Sequence, residues 1–194
     1  MKSEYAPMRR TTLALACLLS GCSYLGSARE WDPAEADPEF VLIPELAPIR
    51  QKDSVGCGPV ALALVLRHYG ESVGPEDLTR ELPPAGDAGS TAGALRDAAR
   101  RLGYKAHVIE GTFEDLEEHL RKGRPLIVGL VKPFITGAVP HYEVVAGVHP
   151  VRGSVATLDP VRGWTLNSRE GFLEEWAGSG RLLLVIAPSQ TRPE

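Results

Sequence analysis

Cysteine is scarce in this chain: three in 194 residues, Cys17, Cys22 and Cys57. The first two fall in a segment that reads as an export signal, which leaves Cys57 as the lone thiol of the remainder. One thiol excludes an internal disulfide. One cysteine among five scattered histidines also gives no ligand spacing of the zinc type, so no metal is expected. Aromatic residues make up only 6% and the net charge is −4, so there is neither a base-stacking platform nor a basic face, and nucleic acid is not an expected partner. The glycine-rich stretch at 86–89 matches neither phosphate-binding fingerprint, and no cofactor is expected. A long apolar run is missing too. The one at 13–19 is too short to span a bilayer.

That short run has a second meaning. Arg9 and Arg10 precede it, and Ser20, Gly21 and Cys22 follow it, the three-part layout of a secretory signal. Leu19, Ser20, Gly21 and Cys22 also resemble the bacterial lipobox, in which the cysteine is lipidated and becomes the mature N-terminus. Residues 1–21 are therefore expected to be a lipoprotein signal peptide, with Met8 as an alternative start and Cys22 as the lipid attachment point. Ser23 after it points to the outer rather than the inner membrane in a Gram-negative cell. Residues 22–47 carry prolines, acids and small residues without a period and are expected to be a tether. Hydrophobic residues at 43% suffice for the core of one domain over 48–188, and 189–194 read as a polar tail.

Within the domain, apolar residues at helical spacing predict a helix over 57–69, buried nearly all round and stopped by Gly70. Further helices are predicted at 75–82, from a Ser90 or Thr91 cap to 102, at 113–122 and at 169–176. Strands are predicted within 41–49 and at 104–109, 125–131, 142–148, 154–158 and 181–187, with a Pro/Gly loop at 132–140. Helices first and then mostly strands make the class α+β.

The chemistry gathers around Cys57. It starts a helix, where the macrodipole and unpaired N–H groups favour thiolate. Gln51 stands six positions earlier and offers an amide to an oxyanion, with the Cys57 N–H as second donor. His141 opens a strand after the Pro/Gly loop and is the candidate base. His68 lies on the nucleophile's own helix, and His107, His119 and His149 read as structural or solvated. Asp159, after the next strand, would return beside His141 in an antiparallel hairpin and orient the imidazole. Glu143 is the competing carboxylate, two residues after His141 on the same strand face. An Asp-Pro turn without a catalytic part remains the plainer reading of Asp159.

Gln51, then Cys57, Gly58 and Pro59 leading an apolar helix to Tyr69 and Gly70, then His141, Tyr142 and valines, Gly147, and Asp159 with Pro160, together resemble the bacteriocin-processing double-glycine leader peptidase family. Phe172 and Trp176 in the last helix add to the likeness, which covers roughly 48–187. The resemblance implies a papain-like cysteine peptidase fold, with N-terminal helices packed on a mostly antiparallel sheet. It implies Cys57 as nucleophile, His141 as base, Asp159 as orienting residue and Gln51 as oxyanion donor, and cleavage after a Gly-Gly or Gly-Ala type site. The export signal and the lack of transporter and nucleotide-binding segments point to the stand-alone lipoprotein branch. Glu143 replaces a more usual apolar residue. The expected function is an exported, lipid-anchored cysteine peptidase that cleaves a peptide or amide bond through an acyl-enzyme. The alternatives are a silent papain-like peptide-binding or assembly lipoprotein, and an acyl transferase.

Overall fold

The computed structural model describes residues 28–52, 56–83, 89–134 and 137–189. The expected signal peptide, Cys22 and the end of the polar tail lie outside the described residues. In chain order the elements are β1 (Arg29–Glu30), a 3-10 turn (Pro33–Glu35), β2 (Val41–Leu42), α1 (Cys57–His68), α2 (Pro75–Glu81) and α3 (Ala92–Arg101). There follow β3 (Tyr104–Glu110), α4 (Phe113–Arg121), β4 (Leu126–Phe134), β5 (Gly137–Val148), β6 (Val155–Asp159), β7 (Gly163–Asn167), α5 (Arg169–Ala177) and β8 (Leu182–Pro188).

The sheet runs β1-β7-β6-β5-β4-β8-β3, with β2 on β5, and each of these pairings is antiparallel. The fold is α+β, helices packed on a largely antiparallel sheet, as the sequence implied. α1 has no polar face over most of its length: Gly58 through Leu66 are all buried. Such a helix must lie inside the molecule, and it packs on β5 and β4. The pair Phe172 and Trp176 is fully buried, with ring centroids 5.3 Å apart.

Three features differ from the sequence reading. The expected Pro/Gly loop at 132–140 instead belongs mostly to two strands, because β4 continues through Phe134 and β5 starts at Gly137. Pro133 and Pro140 are tolerated because this hairpin runs past its neighbours: β8 pairs only with Leu126–Val128 of β4, and β6 only with β5 from Val144 onward. Strand β7, which the sequence reading omitted, extends the sheet beyond β6. Residues 28–47, within the stretch read as a tether, are folded onto the domain. β1 pairs with β7, β2 with β5, and Trp31, Ile43 and Leu46 are buried. Gly147 lets β2 come this close, since a Cβ there would stand 2.6 Å from Leu42 Cδ1.

Candidate active site

Register brings one polar stripe onto one face of the sheet. Val144 pairs with Leu158, so Glu143 faces Asp159 across β5 and β6; Leu130 pairs with His141 and Lys132 with Val139 across β4 and β5. Directly opposed residues share a face and alternate residues repeat it. His141, Glu143, Asp159 and Lys132 therefore crowd one end of an otherwise apolar surface, under the start of α1.

α1 begins at Cys57 with Gly56 as its cap, and no side chain caps the first turn. Pro59 sits where a missing N–H costs nothing. The Gly58 N–H points at the sulfur and the Val60 N–H bonds the Gly56 carbonyl, so the Cys57 N–H is the first-turn group to consider as donor to a ligand. Cys57 is a half-buried free thiol. Its Sγ accepts a hydrogen bond from the Tyr142 N–H at 3.4 Å and faces the His141 side chain closely enough to interact with it. The β5–β6 ladder starts only at Val144, which spares the Tyr142 backbone for this contact.

His141 is buried, 4% exposed, and its Nε2 stands 2.9 Å from Asp159 Oδ1, leaving the other ring nitrogen for the sulfur. Asp159 is 2% exposed, and the same oxygen accepts from the Val161 N–H at 2.8 Å. Burial works against charge on all three groups, and in all three the partners prevail. For Cys57 the His141 hydrogen bond and charge, then the Tyr142 and Gly58 N–H groups, outweigh burial and lower the thiol pKa. For His141, Asp159 and Cys57 outweigh burial and lift the pKa to about 10. For Asp159, His141 and the Val161 N–H do the same and hold the carboxyl below its ordinary range. An ionised thiol beside a charged imidazole is the ground state this geometry favours.

Gln51 is exposed, and its backbone N–H donates to the Pro160 carbonyl at 2.7 Å. The chain that carries Gln51 is thus tied to the turn that carries Asp159. The remaining histidines stand apart from the sulfur. His68 bonds the Gly123 carbonyl, His107 is exposed, and His119 is half-buried on α4. His149 is buried near Asp37 and Glu39. Its Nδ1 accepts from the Arg152 N–H, so in the neutral ring the proton sits on Nε2, facing those carboxylates, with no lone pair there for an ion.

Glu143, the competing carboxylate of the sequence reading, is fully buried. That reading missed its partner altogether. Lys132 Nζ stands 2.8 Å from Glu143 Oε1 and 2.6 Å from Glu175 Oε2 on α5. Burial disfavours charge on Lys132, but the two carboxylates outweigh it and raise its pKa. The only available signal was the two-residue spacing of Glu143 from His141. Lys132 was hidden in a supposed loop, and Glu175 in a helix with several other acids.

The helix-borne thiol, the strand-borne imidazole and the antiparallel sheet beneath them are the architecture of papain-like cysteine peptidases. The profile of the Peptidase C39 family matches residues 45–191, and the chain belongs to that family. Among curated proteins, it is 31% identical over 139 residues to the lactococcin-A transport/processing ATP-binding protein LcnC of Lactococcus lactis, covering 72% of this chain and 19% of that one. It is 33% identical over 146 residues to the transport/processing ATP-binding protein ComA of Streptococcus pneumoniae, covering 72% and 18%. The chain thus spans about a fifth of the length of these relatives. Among solved structures, the peptidase domain of Streptococcus ComA superposes with a TM-score of 0.61 at 31% identity, covering 75% of this chain and all of that one. A Bacillus anthracis protein described as C39-like superposes at 0.65 with 20% identity, covering 77% and 98%. The domain is of the cysteine-peptidase type, a hydrolase. Among the described residues no helix is long and apolar enough to cross a membrane.

Proposed function

We propose that the chain is an exported, lipid-anchored peptidase that hydrolyses a peptide bond through Cys57, His141 and Asp159. One observation carries this reading: a buried imidazole is hydrogen-bonded to a carboxylate on one side and interacts with a helix-terminal thiol on the other. The Cys57 thiolate attacks the scissile carbonyl. The oxyanion is met by the Cys57 N–H and by the Gln51 amide. His141 passes its proton to the leaving amine, and the acyl-enzyme forms. His141 then takes a proton from water, which attacks the thioester and frees the acid. Asp159 keeps the ring oriented and charged. A silent binding module gains nothing from sealing an imidazole between these two partners.

Similarity to transport/processing proteins makes a peptide segment the proposed substrate. A bacterial envelope address, with lipid on Cys22, follows from the motif at 19–22. Alkylation of the purified full chain tests the core of the reading. Cys57, located by peptide mapping, should react with iodoacetamide at pH 6.5 at least about tenfold faster than a free cysteine, whose thiol is only about 1% ionised there. Substituting His141→Ala should remove that advantage together with cleavage of a peptide library. Equal reactivity in the two proteins, with no cleaved peptide, would overturn it.

A further inference from the structure

The three titratable groups His141, Glu143 and Asp159 each present a polar atom within 4.8 Å of the other two. The His141 ring therefore stands close to two buried carboxylates, although it is bonded to one. Glu143 is 0% exposed, yet neither of its oxygens has a hydrogen-bond partner of good geometry. Lys132 Nζ stands 2.8 Å from Glu143 Oε1 as an ion pair. A buried carboxylate left this way costs stability, and an apolar residue of similar volume would serve packing better. Lys132 is already paired with Glu175 at 2.6 Å and has no need of a second carboxylate.

We propose that Glu143 is a positioning residue for His141: a second carboxylate beside the ring which, together with Asp159, holds the imidazole in place and in its charged form, while Lys132, itself gripped by Glu175, fixes where Glu143 stands. This rests on reading His141 as the base. The groups that face the ring are Cys57 from α1, Glu143 on its own strand, Asp159 from β6 and, one step further, Lys132 from β4 with Glu175 from α5. Glu143 acts on the ring by charge alone, and it raises the His141 pKa alongside the hydrogen bond to Asp159. Two anions against one imidazolium make the charge robust: loss of either leaves the other. The positive charge of Lys132 acts on Asp159 as well, holding its carboxyl down. Both ends of the stripe therefore belong to one electrostatic unit.

The test is an NMR titration of the His141 ring in the full chain with Cys57→Ala, which removes the thiolate as a further source of shift. Glu143→Gln leaves Lys132 and Glu175 as a neutral pair and should lower the His141 pKa by about 1 unit or more, while Glu143→Asp should restore most of it. With Asp159→Asn, the ring should still titrate above the ordinary histidine value of 6.5, and the double variant should fall to that value or below it. Asp159→Asn alone decides the matter even if Glu143→Gln does not fold. An unmoved titration in Glu143→Gln, or a fall to the ordinary value in Asp159→Asn alone, overturns the proposal. The readout needs no turnover, so failure to find a cleaved peptide would count against the peptidase reading and not against this one.

Discussion

Cys57 by itself would be a poor nucleophile, since burial works against its ionisation. His141 reverses this, and in the proposed mechanism the pair sets the window of activity. The acid limb of the kcat/KM profile should lie below the ordinary thiol value of 9.0, and the alkaline limb near the raised imidazole value of about 10. Asp159→Asn should draw both limbs inward, because a less charged ring is easier to deprotonate and supports the thiolate less. Gln51→Ala makes a contrasting prediction. If the amide serves the oxyanion, kcat falls by about 10²–10³ while both limbs stay in place. A pH–rate series on the two variants separates the roles, and moved limbs in Gln51→Ala would count against the oxyanion assignment. At this scale the sequence was informative about Cys57, His141 and Asp159, because each has a residue type and a local position that chemistry demands. It was uninformative about Lys132 and Glu175, whose partners lie 11 and 43 residues from Lys132 and leave no local pattern.

The elements show where local pattern gives way to sheet context. α1 was legible because its apolar residues leave it no exposed face, and β4 was legible at its centre for the same reason. The far ends of β4 and β5 were not, because two prolines argue for a loop until the free edges of the hairpin are known. Those ends carry Lys132, so the misread stretch holds part of the ion cluster beside the site. Breaking the ion cluster there should be costly. Lys132→Met leaves Glu143 and Glu175 buried without a counter-charge and should lower stability by about 3–5 kcal/mol in urea unfolding. A loss below about 1 kcal/mol would mean that water reaches the cluster. Gly147→Ala should cost about 1–3 kcal/mol by pushing β2 away, since the new Cβ would meet Leu42 and the Val41 carbonyl.

For the whole molecule the thiol–imidazole pair makes a prediction about stability against pH. Between 6.5 and 9.0 the unfolded chain holds one proton on the pair, on the thiol; the folded chain also holds one, on the imidazole. Proton counts match, so stability should be level wherever Cys57 is ionised in that range. Above 9.0 the unfolded thiol loses its proton while the folded ring keeps one up to about 10, and stability should fall. Below 6.5 the unfolded ring gains a proton, and stability should fall again. In acid below the ordinary carboxyl value of 3.8, Asp159 adds to the loss, because its folded pKa is depressed. Substituting Cys57→Ala should tilt the level stretch downward with rising pH, since the raised imidazole is then unmatched. Melting temperatures across this range for both proteins check the sign. The envelope address has its own check: Cys22→Ser should abolish incorporation of a labelled fatty acid and release the protein from membranes.

The turn after Asp159 has a wider significance. Its first residue steadies the imidazole, its second takes the Gln51 N–H on its carbonyl, its third offers a carbonyl to the Arg50 side chain, and its fourth reaches the Ala28 carbonyl. Four successive residues thus act as a keystone between the proposed proton-handling half of the centre, the segment whose Gln51 is proposed to meet the oxyanion, and the N-terminal segment. The two halves are not independently adjustable. Protein engineers who reshape this corner to admit a bulkier substrate should find acid–base timing and oxyanion grip drifting together.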